Sequence, residues 1–188
     1  LELLVATILS AQCTDVRVNV VTERLFKKYK TAKDYANADI NSFEQEIKST
    51  GFYKNKAKMI INAAKKLVSD FGGKIPSTME ELTTLPGVGR KTASVVLSAA
   101  FNIPAIAVDT HVLRVSNRLG LAASGDPEKV EMQLRKIIPE DKWIDFSLSM
   151  ILHGRETCKA KKPLCKECVL YKQCKWPEKD NSLLTMQF

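Results

Sequence analysis

Apolar residues recur at three- and four-residue spacing along almost the whole chain, and no stretch alternates them with the period of two that a strand requires. That regularity confines the chain to an all-α fold. In TDVRVNVVTERLFKKY, Val16, Val20, Val21, Leu25 and Phe26 keep the helical spacing, and Thr14 or Asp15 is placed to cap the start. ADINSFEQEIKSTG has Asp39 at its head and Gly51 as a stop. NKAKMIINAAKKLVSDFGG sets Ile60, Ile61, Ala64, Leu67 and Val68 among lysines and ends in a glycine pair. PSTMEELTTL is expected to open with a capping box from Ser77 to Glu80. The same periodicity predicts helices over 90–101, 110–119, 126–138 and 140–153.

At 188 residues the chain can bury one good core or two small ones. The apolar connection FNIPAIAVDT, with Pro104, is suited to separating two helical lobes. Near residue 155 helix-forming sequence yields to a basic, cysteine-rich loop. The net charge of +8 is spread along the chain, which favours a polyanionic partner. No segment reaches the roughly 18 continuous apolar residues of a membrane span, and no signal peptide is visible, so the expected setting is the cell interior, not a membrane or the outside. The chain starts at Leu1 in mid-pattern, and the natural N-terminus is expected to lie upstream.

The stretch LPGVGRKTASVV joins a helical pattern to another through a tight turn. Gly87 and Gly89 are free to take backbone angles barred to other residues and leave amide N–H groups uncovered. The positive end of the next helix points at the same place, which makes a seat for a phosphate without reading a base. A Walker loop would need Gly directly before the lysine, where Arg90 stands. A Rossmann fingerprint would need a third Gly where Thr92 stands, and a strand in front.

Five cysteines are unevenly placed: Cys13 is alone, whereas Cys158, Cys165, Cys168 and Cys174 crowd into 17 residues. Four thiolates so close suggest a metal centre before disulfides. Their 6-2-5 spacing matches neither paired zinc knuckles nor a ferredoxin run, and the chemistry alone leaves zinc and iron–sulfur open.

LPGVGRKTA, followed 18 residues after Lys91 by Asp109 in AVDTHVLRVSNR, resembles the helix-hairpin-helix DNA glycosylases. The pattern C-x6-C-x2-C-x5-C and LLVATILSAQCTD near the start narrow the resemblance to the endonuclease III family, over nearly the whole chain. The resemblance implies a six-helix barrel lobe over 1–103 and a cluster lobe over 104–188, with a cleft for DNA between them. It implies that a short N-terminal helix of the natural protein precedes Leu1. It implies a [4Fe–4S] cluster on Cys158, Cys165, Cys168 and Cys174, and a hairpin that grips the backbone of duplex DNA through Gly87, Val88 and Gly89. A rigid cluster loop would offer Lys162, beside Lys159 and Lys161, as a second phosphate contact.

The implied activity is a bifunctional DNA glycosylase and abasic-site lyase of base excision repair, acting on damaged, oxidised pyrimidines, as a monomer in a bacterial or archaeal cell interior. Lys91 is the implied nucleophile, forming a Schiff base from which β-elimination cuts the strand 3′ to the abasic site. A lysine amine attacks only when neutral, and a helix N-terminus, the neighbouring Arg90 and partial burial would each favour that form. Asp109 is a natural N-cap and, by the resemblance, a catalytic carboxylate near the sugar. A glycosylase must rotate its base out of the stack and fill the gap. The resemblance gives that task to Gln12 and Phe52, although residue type alone would place Phe52 in the core. His111 is either a contact to DNA or a satisfied histidine, and His153 reads as structural. Two rivals are a monofunctional mismatch glycosylase, whose relatives usually lack lysine at the place of Lys91, and a non-catalytic DNA-binding module.

Overall fold

The computed structural model describes residues 1–179, and its regular elements are all helical there. The helices are α1 (Glu2–Leu9), α2 (Asp15–Lys28), α3 (Ala32–Ala36), α4 (Ile40–Ile47), α5 (Tyr53–Asp70), α6 (Met79–Thr83), α7 (Arg90–Phe101), α8 (Thr110–Leu119), α9 (Pro127–Ile137) and α10 (Trp143–Glu156). The chain divides into two compact units, the first Leu1–Ile103 and the second beginning at Pro104.

Local chemistry explains most of the boundaries. Thr14 accepts from the Arg17 amide and Asp39 from the Ser42 amide, each closing the open end of a helix. Gly51 and the pair Gly72–Gly73 follow α4 and α5 with positive φ, and the Gly73 amide returns 2.7 Å to the Leu67 carbonyl. One predicted start is shifted. The cap is Thr78, not Ser77: the Glu81 amide donates to Thr78 Oγ1, whose hydroxyl donates to the Glu81 carboxylate. That register turns Leu82 fully inward. In α2 the buried stripe is Val18, Val21 and Leu25, whereas Val16 and Val20 face solvent, so only part of the expected apolar set is core.

The first unit packs α5 against α3 and α4, and α7 against α1 and α6. Tyr35, Phe43, Ile47, Ile60, Leu67, Leu82 and Leu85 are fully buried, each contributing about 1.5–3 kcal/mol from lost apolar exposure. In the second unit α8 packs on α9 and α10. Ile106, Val108, Val112, Val130, Leu134 and Trp143 form its core, and the Trp143 indole donates to the Ile138 carbonyl at 2.9 Å. No helix of the described residues is long and apolar enough to cross a membrane.

Candidate functional site

The hairpin stands on apolar ground. Leu85, Val88, Ala93, Val96 and Leu97 are buried beneath it, while Gly87 and Gly89 lie at the surface. Gly87 has φ +78, and a Cβ there would come within 2.8 Å of the Met59 side chain on α5. No other residue satisfies both constraints. Gly89 does not use a barred angle: its φ is −89, and it is the N-cap of α7 with no side-chain cap. Its service is emptiness, since nothing lies within 4 Å of where a Cβ would be. The Val88 amide is already engaged by the Leu85 carbonyl at 3.1 Å, so it is not open to a phosphate.

Lys91 sits in that first turn and is exposed. The expected partial burial is absent because the apolar face of α7 is carried by Ala93, Val96 and Leu97, on the other side of the helix.

Phe52 also departs from the core expectation. It is 66% exposed, and it is the N-cap of α5 in left-handed backbone, φ 47 and ψ 25. Gln12 is exposed and left-handed as well, with φ 52. Four non-glycine residues of the described chain have positive φ: Gln12, Phe52, Asn102 and Lys162. Asn102 merely ends α7. Each of the others stores about 1–3 kcal/mol of strain that the surrounding structure must hold.

In the second unit Asp109 caps α8. Its Oδ1 accepts from the amides of His111 and Val112, both at 2.8 Å, and Oδ2 has no partner among the described residues. One oxygen fixes orientation and the other is available for chemistry. The Arg114 guanidinium, always a donor, lies 3.2 Å from His111 Nδ1. In a neutral ring this leaves Nε2–H as the free donor of His111. The side chain packs on Gly154, where a Cβ would meet His111 Cβ at 2.9 Å and the ring Nδ1 at 3.0 Å.

Arg114 and Arg118, which the sequence reading did not single out, hold the cysteine loop. Arg114 donates to the carbonyls of Gly154 and Cys158. Arg118 donates to the carbonyls of Lys159 and Ala160, reaches Cys158 Sγ at 3.4 Å, and stacks 3.9 Å from the Trp176 ring. The Arg118 carbonyl in turn accepts from Cys174 Sγ. Basic residues at i and i+4 on α8 facing a basic loop were the available signal. Cys158, Cys165, Cys168 and Cys174 all line one cavity with His153, Tyr171 and Trp176. His153 Nε2 is 3.7 Å from Cys168 Sγ, and burial lowers the pKa of that imidazole. Among the described residues no three His, Cys, Asp or Glu side chains form a group that could hold a single metal ion. Cys13 lies outside this loop, half-buried.

Thus the hairpin, Lys91, Gln12 and Phe52 belong to the first unit, and Asp109, His111, Lys162 and the four cysteines to the second. The family described as HhH-GPD superfamily base excision DNA repair protein matches residues 5–140. Endonuclease III of Synechocystis sp. (strain ATCC 27184 / PCC 6803 / Kazusa) is 55% identical over 174 residues, 92% of this chain and 80% of its own. A non-covalent endonuclease III–DNA complex superposes with a TM-score of 0.91 at 48% identity, covering 97% of this chain and 85% of that one. A trapped endonuclease III–DNA covalent intermediate, an estranged-adenine complex, gives 0.91 at 48% identity over 96% and 84%. With the hairpin, the capped aspartate and the four-cysteine loop in place, the chain belongs to the endonuclease III family of the HhH-GPD superfamily of base excision DNA repair proteins.

Proposed function

We propose that this base excision repair DNA glycosylase is bifunctional: it removes oxidised pyrimidines from duplex DNA and cuts the strand at the resulting abasic site through a Schiff base on Lys91. One observation carries the reading. Lys91 is exposed in the first turn of an uncapped helix, beside a glycine turn that leaves room for a phosphate. A lysine serving only as a phosphate contact is the competing role.

The hairpin binds backbone phosphates through the amides of Gly87, Gly89 and the first turn of α7, and Lys162 adds a contact from the cysteine loop. Phe52 wedges into the stack, and Gln12 takes the place of the extruded nucleotide opposite the orphaned partner. Lys91 is exposed in the free chain and open to the sugar. Its lone pair attacks C1′ while the glycosidic bond breaks, and the base leaves with that electron pair and gains a proton. The free Oδ2 of Asp109 stabilises the positive charge on the sugar and accepts the amine proton, with Oδ1 held by the α8 amides. The C1′–O4′ bond of the sugar ring then opens and O4′ takes a proton, which gives the imine; loss of a proton from C2′ breaks the C3′–O bond, and the 3′ phosphate departs. Hydrolysis of the imine returns the amine.

The all-thiolate donor set suits a [4Fe–4S] cluster held by Cys158, Cys165, Cys168 and Cys174. Four thiols that line one cavity are a sufficient ligand set for such a centre. Bound there, the cluster supplies rigidity to the loop that bears Lys159, Lys161 and Lys162. The protein acts as a monomer.

Borohydride trapping on an abasic duplex tests the reading, because it reduces an imine to a stable amine. The expected result is a covalent adduct with the wild-type chain and none with Lys91→Gln, whose DNA binding survives. Absence of an adduct from folded, cluster-loaded protein would demote Lys91 to a phosphate contact. Base release from the same sample would then separate a monofunctional glycosylase from a mere binder.

A further inference from the structure

Lys56 is the one lysine or arginine buried among the described residues, at 4% exposure. Its ammonium donates to the carbonyls of Leu9 and Thr50, both at 2.8 Å, and no carboxylate pairs with it among the described residues. Burial lowers its pKa. An ammonium taken out of water without a counter-ion is unfavourable unless strong acceptors replace the solvent. Here the acceptors are helix-end carbonyls, which lack partners of their own and carry the negative end of the helix dipole.

The position of those two carbonyls matters. Leu9 is the last residue of α1, and the left-handed Gln12 follows three residues later. Thr50 ends the 3₁₀ turn Lys48–Thr50, and the left-handed Phe52 follows two residues later. The Lys56 amide also donates to the Phe52 carbonyl at 3.1 Å. One residue therefore grips the roots of two loops that are remote in sequence, and each loop carries a strained, exposed side chain.

We infer that Lys56 is a positioning residue that locks the Gln12 and Phe52 loops to each other, so that both side chains enter the DNA stack as one preformed unit. This rests on the roles proposed above for Gln12 and Phe52. Without the ammonium, two buried carbonyls lose their partner and the loops relax separately. Insertion must then order them at the moment of base extrusion, which slows reaction on duplex while leaving an unstacked strand unaffected.

The test uses full-length, cluster-loaded Lys56→Met and Phe52→Ala. Base release from a damaged duplex is measured at saturating enzyme, and strand cleavage on single-stranded abasic DNA serves as the reference. Fluorescence of an aminopurine opposite the lesion reports opening of the stack. Lys56→Met is expected to slow the duplex reaction about 10- to 100-fold, as a misplacement remote from the chemistry does, and to leave the single-strand reaction within about twofold. The aminopurine signal should fall in step, and the double variant should be no slower than the slower single one. A Lys56→Met protein with wild-type duplex rate and signal, beside a slow Phe52→Ala, would overturn the role of Lys56 and leave the wedge standing. A Phe52→Ala protein at wild-type rate would overturn the wedge and this inference together. If Lys56→Met does not fold, Lys56→Gln, which keeps an amide donor, carries the same comparison.

Discussion

The hairpin and the cysteine loop both serve as proposed contacts for DNA, yet they are held by opposite means. Under the hairpin, Leu82, Leu85, Val88, Ala93, Val96 and Leu97 are all buried. In the cysteine loop no residue from 155 to 179 is buried. Its contacts are the Arg114 and Arg118 guanidiniums on backbone carbonyls, with four thiols around one cavity where the proposed cluster would cross-link it. A hydrophobic core holds its surface by excluding water from many small contacts. A cross-link holds a loop through a few strong points, and removing one of them removes the geometry.

The largest effect expected from that contrast is at a thiol. Cys174→Ser should abolish the absorbance of the proposed iron–sulfur cluster and destabilise the second unit by more than about 4 kcal/mol, the exceptional range reserved for losses such as a metal site. Helical circular dichroism would show most of the first unit retained, and wholesale unfolding would break the comparison. Next, Leu82→Ala should cost about 2–5 kcal/mol in denaturant unfolding with the cluster absorbance unchanged, because the first unit is held by its core. Gly87→Ala should cost about 1–3 kcal/mol through its left-handed backbone and the Met59 contact, and should weaken abasic-duplex binding in a titration. The smallest effect on stability separates the two duties of Asp109. Asp109→Asn should leave the melting temperature nearly unchanged, since Asn caps as well as Asp, whereas Asp109→Ala should lose about 1 kcal/mol. Base release should fall in both variants. If Asp109→Asn retains full activity, the aspartate is a cap and nothing more.

How much of this was legible in the sequence depended on how far apart the partners lie. The caps at Thr14, Asp39 and Asp109, and the stop at Gly51, involve neighbours within one turn, and all were readable. The glycine turn before Lys91 was readable for the same reason. Thr78 displaced Ser77 because two adjacent residues both satisfy the capping pattern, and only the inward placement of Leu82 chooses between them. The exposure of Phe52 and Lys91 depends on which face of a helix the rest of the unit covers, which residue type does not state. Lys56 was invisible: its ammonium reaches Leu9 across 47 positions, and the local pattern around it is that of any solvated lysine in an amphipathic helix. Arg114 and Cys158 are 44 positions apart and escaped notice for the same cause.

The helix α8 has one more consequence. It is 10 residues long, about 15 Å, and rigid over that span. Asp109 forms its first cap, and Arg114 and Arg118 on its later turns clasp the backbone at Cys158, Lys159 and Ala160. It therefore works as a lever whose far arm is gripped by the cysteine loop and whose near arm aims a carboxylate. A displacement of the loop backbone at Cys158, Lys159 and Ala160 would reach Asp109 through α8 itself, with no residue between them needing to change its neighbours.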